Sequence, residues 1–586
     1  MRRWGLGDAL GLVVALTALT YAPMWVDPAS FPKLLVLTVG CLAIAPFVVI
    51  RWLRADRPSS WALMPCLAAA ALLASVSLAT LAADAPWPTR LFGWWLRADG
   101  LLAVVAAAVL LLGAATLSRT EVQRAIGWLV AGAGLAAVLA IPQVAGIDFM
   151  TAPDGTVLST LGNANFAGAF FAMAAVLALG NAFLVTTQAW RIANLVAAAC
   201  YAALAFLSAS LQGPMALGAG LLMFGYAFLL GYRGPRRLLL IGTSTIVIVA
   251  GLAVSVLGML STGPLGFIGR EGNTQWRYMV WSAGLETIQA HPVIGIGTGS
   301  FSRYISAYRP VETVAFTGES MRPSAVHSIP LQFGIVGGWP ALLLWLVVFA
   351  GALVLLLMAL RRGPQSLRWI GATAVGGLSA YLAQAIVSID TPSIIAIGWL
   401  LAGLAIAVTR ICAEPAQRRS TSASEEDLPA RLLIRATVAS VVLAFIGGWA
   451  VMSQIQAVER VRSIPDGPTF FAAIADPMVP CPVRLEIANG SLKGMQLRHV
   501  LPAVVKAVSV DPRCPPIVNL QSQIALQARD LTLADSSTAL GVELDPQSKS
   551  AWQFRRDFFT LIGDPGGLAD TQRRLDALAD ATTPSS

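Results

Sequence analysis

Thirteen long apolar stretches constrain this chain more than any other feature of its sequence. A helix that crosses a bilayer needs about 20 mostly apolar residues, and each stretch is close to that length or longer. Of the 586 residues, 56% are apolar and only 12% are charged, whereas a soluble domain has roughly 25% charged residues. The sequence therefore predicts an all-α, polytopic membrane protein. The predicted spans are residues 8–26, 33–53, 61–83, 100–117, 124–145, 163–187, 191–209, 213–231, 237–260, 328–360, 368–388, 394–412 and 432–452.

Two of these spans are unusual. The tenth, residues 328–360, is too long for one straight crossing, so we expect it to be tilted or to extend beyond the bilayer. The first follows Arg2 and Arg3 and resembles the start of a signal peptide, but no clear small-x-small cleavage site follows it. We therefore interpret the first span as a helix that the protein retains.

Basic residues in the loops predict the orientation of the chain. With the N-terminus inside, about 19 arginines lie in inside loops, against eight arginines and lysines in the outside segments before the tail. Because inside loops carry the excess of positive charge, we expect a cytoplasmic N-terminus in the cytoplasmic membrane. Thirteen spans then place the C-terminus outside. The net charge of +9 follows from this topology, and we expect no nucleic-acid partner.

The spans divide the chain into membrane and aqueous parts. No span carries a mid-membrane Asp, Glu or Lys relay, which disfavours a proton-coupled carrier and favours chemistry at the outer surface. The predicted parts are 1–260 with spans one to nine, a large external loop at 261–327, 328–412 with spans ten to twelve, a cytoplasmic linker at 413–431, span thirteen at 432–452 and an extracytoplasmic tail at 453–586.

The tail contains a weak internal repeat. The stretch that ends in Asp511-Pro512 recurs as one that ends in Asp545-Pro546, at an offset of 34 residues. This is the period of tetratricopeptide helix pairs, so we predict a small tetratricopeptide-like helical domain, with a generic helical tail as a near-equal alternative. Cys481 and Cys514 both lie in this tail and can form a disulfide if the outside is oxidising, although their spacing does not establish that they are close.

Polar and aromatic residues concentrate in the external loop and continue into the tenth span. The motifs are Trp276-Arg277 with Trp281, then His291-Pro292-Val293-Ile294-Gly295-Ile296-Gly297, then Val326-His327-Ser328 and Gly337-Gly338. This pattern resembles the Wzy_C domain shared by O-antigen ligases, O-antigen polymerases and bacterial protein O-oligosaccharyltransferases. Residues 91–100 resemble the first external loop of that family, and Gly162-Asn163-Ala164-Asn165 resembles its Gly-Asn-Pro-Asn element. The resemblance covers most of residues 60–410.

Two positions depart from the pattern of the family. Gln212 lies where many members carry an arginine, and Ser328 replaces the asparagine that usually follows the histidine. At the first position the chain lacks the arginine whose positive charge would contact the donor phosphate, which puts that contact in doubt. The second leaves the partner of the histidine undefined.

The resemblance implies a GT-C-like fold and a metal-independent, inverting transfer reaction on the outer face of the membrane. The donor would be a glycan on a polyprenyl diphosphate, and the acceptor a hydroxyl of a glycan, a lipid or a protein. No cofactor is implied. The resemblance implies that His327 and Arg277 are catalytic, and that Arg97, Arg322, Gln212, Asn163, Asn165 and Trp276 bind substrate.

These residue types suit the reaction on their own terms. A diphosphate leaving group gains negative charge in the transition state, and guanidinium groups matched to that charge lower the barrier. An acceptor hydroxyl is a poor nucleophile and needs a positioned base, for which histidine has a pKa near neutrality. His327 lies at the expected outer edge of the membrane, where a lipid head group and an aqueous acceptor meet.

Structural roles remain open for the same residues. His327 can simply cap the tenth span, and Arg277 can be an interfacial anchor between Trp276 and Trp281. Asn163 and Asn165 can cap the sixth span instead of contacting sugar or phosphate.

Alternative functions follow from the same observations. Polymerisation and protein O-glycosylation share these motifs with ligation. A flippase for lipid-linked sugars is another class, but it predicts a polar path or an internal repeat in the spans, and neither is present in the sequence. A structural scaffold would leave the charged, Trp-rich loop unexplained. The tail favours an acceptor or partner protein held near the site, and docking of assembly machinery is an equal alternative.

Overall fold

The computed structural model describes residues 4–54, 60–147, 157–263, 266–267, 272–319, 321–414, 429–462, 473–485 and 497–582. Within these ranges the regular structure is helical, without a strand. The helices of the membrane part and its loops are α1 (Leu6–Leu19), α2 (Ser30–Arg54), α3 (Ser60–Ala82), α4 (Trp87–Phe92), α5 (Leu101–Ala115), α6 (Arg119–Val144), α7 (Ala164–Ala182), α8 (Gln188–Leu207), α9 (Gln212–Leu230), α10 (Arg237–Met259), α11 (Gly272–Ala290), α12 (Phe301–Tyr308), α13 (Val311–Thr317), α14 (Ile329–Arg362), α15 (Arg368–Val387), α16 (Pro392–Ala413) and α17 (Ala430–Arg462). The helices of the tail are α18 (Leu497–Val510), α19 (Pro515–Ala528), α20 (Leu531–Leu544), α21 (Lys549–Ile562) and α22 (Pro565–Thr582).

A helix lies at each of the thirteen predicted spans. Among the described residues, eleven helices are long and apolar enough to cross a membrane, whereas α1 and α5 are apolar but shorter. The prediction of a polytopic, all-α membrane protein is confirmed. The first span was predicted to continue to residue 26, but α1 ends at Leu19 because the carbonyl of Thr20 turns to the Nζ of Lys33, 2.7 Å away. The downstream Pro23 cannot donate a helical hydrogen bond either.

The distribution of buried side chains fits a lipid environment. Helix α16 forms the centre of the bundle, with Trp399, Leu400 and Ala402 fully buried, and packs on α5 and α14. At the periphery, α10 and α17 expose large apolar side chains such as Leu238 and Phe445. Such wide apolar faces are unfavourable in water but ordinary against lipid tails.

The loops lie at the two ends of the bundle. At the end that the sequence predicts to be inside, Arg51 pairs with Glu121 at 2.6 Å and Arg124 pairs with Asp8 at 3.0 Å. The loops predicted to be outside meet at the opposite end, around the residues described below. The arrangement agrees with an alternating chain, and the compartment that each end faces stays a prediction.

The long helix α14 is broken near its start. Gly337 and Gly338 have non-helical backbone angles, with φ of −131° and +70°. The break leaves the Val336 carbonyl free to accept a hydrogen bond of 3.0 Å from the backbone N–H of Gly297. A Cβ atom at Gly295 would lie 2.5 Å from Val336, so this approach requires glycine. The helix at the tenth span is therefore kinked, and its tilt or its extension beyond the bilayer stays a prediction.

The tail helices repeat at a fixed interval. Helices α18, α20 and α22 begin at Leu497, Leu531 and Pro565, and α19 and α21 begin at Pro515 and Lys549. Each of these starts recurs after 34 residues, which is the period of tetratricopeptide helix pairs. The faint sequence repeat thus corresponds to a structural repeat, and assignment to that particular class stays a prediction.

A disulfide closes the start of the tail. Cys481 and Cys514 are bonded, with their Cα atoms 5.9 Å apart. Asp511 lies close to both sulfur atoms, but the disulfide uses the two thiols and Asp511 pairs with Arg303. These three residues are therefore not a set of metal ligands.

Candidate functional site

Three distant segments meet around His327. Helix α11 contributes Trp276, whose ring meets the imidazole edge-on with ring centroids 4.7 Å apart. The same helix contributes Trp281, whose Nε1 donates a hydrogen bond of 3.3 Å to the His327 carbonyl. The second segment is the loop before α5, which carries Arg97, and the third is the segment of His327 itself. Helix α14 begins only at Ile329, with Pro330 in its first turn, so His327 lies just outside the helix.

The His327 ring lies in a basic environment. Burial lowers the pKa of the imidazole, and the positive charges of Arg97 and Arg277 act in the same direction, so that together they bring it to about 3. The ring is therefore neutral at physiological pH. Two guanidinium groups that act on one imidazole are also an arrangement that an anion can bind. The structure thus brings His327, Arg277, Trp276 and Arg97 together, as the sequence predicts.

The loop that carries Arg97 has a strained backbone. Leu96 and Ala98, on either side of it, have φ of +70° and +53°, a region that costs non-glycine residues about 1–3 kcal/mol each. Asp99 holds the turn by accepting a hydrogen bond of 3.0 Å from the Trp94 N–H. His327 also has a positive φ, +54°. Strained residues of this kind cluster at functional sites, where the surroundings enforce them.

A cavity of about 350 Å³ opens beside Arg97. Its polar wall includes Lys33 and Asn163. The ammonium group of Lys33 donates to the carbonyls of Thr20 and Thr160, at 2.7 and 2.6 Å, which fits a structural role. Arg97 lines the cavity and also influences His327. The same side chain is therefore near both the cavity and the imidazole.

A second set of polar side chains surrounds the start of α9. The hydroxyl of Ser210 donates a hydrogen bond of 2.6 Å to the Asn165 side chain. The Nε2 of Gln212 donates to the Val387 carbonyl at 3.3 Å, while its buried Oε1 has no hydrogen-bond partner among the described residues. Asn163 caps α7 by accepting from the Asn165 N–H at 2.9 Å. Capping is therefore at least one role of Asn163.

Two carboxyl groups at the same end of the bundle were not assigned a role from the sequence. Burial raises the pKa of Asp390 well above its usual value, and the negative charge of Asp99 raises it further. Burial also raises the pKa of Asp99. Tyr381 Oη lies 3.4 Å from both carboxylate oxygens of Asp390. Perturbed pKa values at one place are typical of functional sites. The sequence shows Asp390 only as a residue of a short turn, without its neighbours.

Other external arginines contact the tail instead. Arg322 Nη2 pairs with Asp545 Oδ2 at 3.0 Å, and Arg309 Nη2 reaches both oxygens of the same carboxylate, at 3.0 and 2.9 Å. Arg303 pairs with Asp511. Arg322 was predicted to bind substrate; its Nη2 group makes this ion pair, and a role in substrate binding stays a prediction. The sequence contains the Asp-Pro repeat but does not indicate what the two aspartates contact.

One comparison with known proteins gives a match. The model of the O-antigen ligase family, Wzy_C, matches residues 196–346, which confirms the resemblance predicted from the sequence. No curated protein matches the chain. The matched region contains Gln212, Trp276, Arg277 and His327, and supports a transferase role in glycan assembly at a membrane.

Proposed function

From the O-antigen ligase match over residues 196–346, we propose that the chain is a membrane glycosyltransferase of the ligase type. It transfers a glycan from a polyprenyl diphosphate to an acceptor hydroxyl on the outer face of the cytoplasmic membrane. The observation that carries the proposal is the convergence of Arg97 and Arg277 on the ring of His327. This arrangement provides a base and an anion site at one place.

His327 acts as the general base in the proposed reaction. Its ring nitrogen takes the proton of the acceptor hydroxyl as the acceptor oxygen bonds to the anomeric carbon of the donor sugar. The bond from that carbon to the diphosphate oxygen breaks, and its electron pair leaves with the polyprenyl diphosphate. One displacement of this kind inverts the anomeric configuration. Arg97 and Arg277 stabilise the charge that develops on the leaving group, and the step requires no metal.

Donor binding would activate the base. In the free protein the imidazole is neutral but weakly basic, since its pKa is about 3. A diphosphate between Arg97 and Arg277 offsets their positive charges and raises the pKa of His327. A base whose pKa lies closer to the working pH abstracts a proton more efficiently. The nucleophile is therefore activated chiefly when the donor is present.

The remaining polar residues suit recognition of the sugar. Arg97 and Asn163 line the cavity of about 350 Å³, in which we place the donor head group. The Oε1 of Gln212, which has no hydrogen-bond partner among the described residues, can accept a hydrogen bond from a sugar hydroxyl, which an arginine at this position could not do. We place Asn165 in the same subsite and Trp276 against the sugar near His327. The protein thus contacts its donor within a GT-C-like bundle.

The tail favours protein O-glycosylation as a second candidate function. Its helical repeats, which we assign to the tetratricopeptide class, dock on the loop that leads to His327 through Asp545 and Arg309. Helical repeats of this class form extended binding surfaces, so an acceptor protein bound there would lie near the site. Polymerisation is the other reaction of the same family.

Reconstitution tests the proposal. The purified protein is placed in liposomes with a polyprenyl-diphosphate glycan and candidate acceptors, and product is separated by mass. We expect His327→Ala to lower transfer about 100-fold or more. His291→Ala is the matched control, since His291 lies with Tyr304 and Tyr308. Transfer by His327→Ala at the wild-type rate would overturn the proposal, and translocation without transfer would favour a flippase.

A further inference from the structure

The two repeat units of the tail use equivalent aspartates in the same way. Asp511 and Asp545 are 34 positions apart, and each precedes a proline. Both are buried, and each pairs with an arginine of the external loop: Asp511 with Arg303, and Asp545 with Arg309. Buried carboxylates require such partners because isolated charges are strongly unfavourable away from water. The repeat therefore presents its aspartates to the loop at regular positions.

The second aspartate holds the chain just before His327. The guanidinium of Arg309, fixed by Asp545, also donates to the carbonyls of Glu319 and Met321 at 3.3 and 3.2 Å. Arg322, which follows directly, pairs with Asp545 itself at 3.0 Å. One buried carboxylate thus fixes both the backbone and a side chain of the segment that leads to the site.

The start of α21 holds the same segment at a second place. The Glu319 carboxylate accepts hydrogen bonds of 3.0 Å from the Lys549 N–H and from the Ser548 hydroxyl. It also accepts from the Ser550 hydroxyl at 2.9 Å. A carboxylate at a helix N-terminus satisfies backbone donors that lack partners within the helix. The contact therefore both stabilises the start of α21 and holds Glu319 in place.

The held segment continues directly to the imidazole. Ser324 accepts a hydrogen bond of 2.9 Å from Arg97, and the Val326 N–H donates to Gln332 Oε1 at 3.1 Å. His327 then adopts a φ of +54°. A non-glycine residue keeps such a backbone conformation only where its surroundings impose it. Residues 321–327 are thus fixed by the tail at one end and by Arg97 near the other.

We propose that the C-terminal repeats are a positioning domain, in which Asp545 holds residues 321–327 and thereby the orientation of His327. Asp545 is a positioning residue, because it acts through Arg309 and Arg322 and not on substrate. The inference rests on the proposed transfer function. It assigns the tail the role of positioning the base, so the tail is more than an attachment point for partners.

The test compares Asp545→Asn with Asp535→Asn in the full-length protein in liposomes. Asp535 is the matched control, because it lies on α20, the helix that Asp545 directly follows, and its carboxylate, which pairs with Arg555, is more than half exposed. A misplaced base slows the chemical step, so we expect Asp545→Asn to lower kcat by about 100-fold. The KM for the donor should stay within about twofold. Asp535→Asn should keep both values.

A spectroscopic measurement separates this inference from the transfer function. The chain has only three histidines, so ring-labelled histidine gives a spectrum that can be assigned by substitution. We expect the His327 ring resonance to shift in Asp545→Asn and to stay in place in Asp535→Asn, with or without activity. A shifted resonance in a protein that transfers no glycan would support positioning while refuting the proposed function.

Two results would overturn the inference. One is an Asp545→Asn protein with wild-type kcat and an unshifted His327 resonance. The other is an equal loss of kcat in Asp545→Asn and Asp535→Asn, which indicates general damage to the tail. If Asp545→Asn does not fold, Glu319→Gln is judged by the same criteria, since it weakens the second anchor and leaves the ion pairs of Asp545 intact.

Discussion

Arg97 and Ser324 lie 227 positions apart in the chain and are joined by a hydrogen bond of 2.9 Å from Arg97 Nε to Ser324 Oγ. The bond connects the strained loop before α5 to the segment that ends at His327. It engages the Nε of the guanidinium and neither of its two Nη groups. This contact therefore contributes to the relative position of the base and the anion site.

Replacement of Arg97 by lysine tests that geometry. Lysine keeps the positive charge but has one ammonium group instead of a planar guanidinium. It therefore cannot donate to Ser324 from one nitrogen while two others bind a diphosphate. We expect kcat/KM for the donor to fall about tenfold or more. Arg90→Lys, in the preceding helix α4, is the control and should change it little. Equal values for Arg97→Lys and wild type would contradict the proposed role.

Arg277→Ala removes the second guanidinium from the site. The loss of transition-state charge stabilisation should lower kcat/KM for the donor by about 100-fold. The measurement is steady-state transfer in liposomes at saturating acceptor. An unchanged kcat/KM would remove Arg277 from the site and leave it as an interfacial anchor between its neighbouring tryptophans.

The pH dependence of transfer follows from the depressed pKa of His327. The base works in its neutral form, and the free protein keeps it neutral above about pH 3. We therefore expect kcat/KM to show no acid limb from His327 between about pH 5 and 8. The acid limb of kcat should lie at higher pH, because bound diphosphate raises the pKa. Coincident acid limbs would show that the donor does not change the basicity of His327.

Replacement of the two arginines near His327 by neutral residues provides an independent check on the pKa of its imidazole. In Arg97→Gln/Arg277→Gln, burial remains but both repulsive charges are gone, so the pKa of His327 should move up toward its usual value. Titration of the labelled imidazole by NMR measures this directly. A pKa that stays at the wild-type value would mean that burial alone sets it.

The disulfide should contribute substantially to the stability of the tail. Cys481 and Cys514 close a loop with a sequence separation of 33, for which the loss of chain entropy in the unfolded state predicts about 3–4 kcal/mol. Cys481→Ser/Cys514→Ser should lower the free energy of unfolding of the tail by this amount. Thermal unfolding followed by proteolysis measures it, with Cys200→Ser as the control. No change in the midpoint would contradict the estimate.

The kink in α14 predicts a large difference between two glycine substitutions. Gly338 has a φ of +70°, and a Cβ atom there would collide with the Pro292 carbonyl, whereas a Cβ atom at Gly127 meets nothing within 4 Å. Gly338→Ala should destabilise the protein by about 2 kcal/mol or more. Gly127→Ala should be neutral or stabilising. Similar melting temperatures for the two variants would exclude a strict requirement at Gly338.

The membrane part was largely predictable because a bilayer imposes a local length rule. Apolar runs of the required length identify helices without knowledge of their neighbours. The early end of α1 was not predictable, since it depends on the contact of Lys33 with the Thr20 carbonyl. Pro23 is a local sign that the helix ends nearby, but the contact with another span that accompanies its end at Leu19 is not visible in the sequence.

The site was predictable only where motifs carried it. Arg277 and His327 were expected together from the family pattern, and the structure brings them together. Arg322 belongs to the same stretch, but its partner Asp545 lies 223 positions away. Asp390 gains its perturbed pKa from burial and from Asp99, neither of which is visible in a short turn sequence.

The break at Gly337 and Gly338 divides α14 into two mechanical units. The short first unit, residues 329–336, begins two residues after His327. It is joined to the loop of Gly297 by the hydrogen bond from the Gly297 N–H to the Val336 carbonyl. The longer second unit crosses the lipid and can adjust its tilt when bilayer thickness changes. We expect the break to absorb that motion, so that the imidazole keeps its orientation in membranes of different thickness.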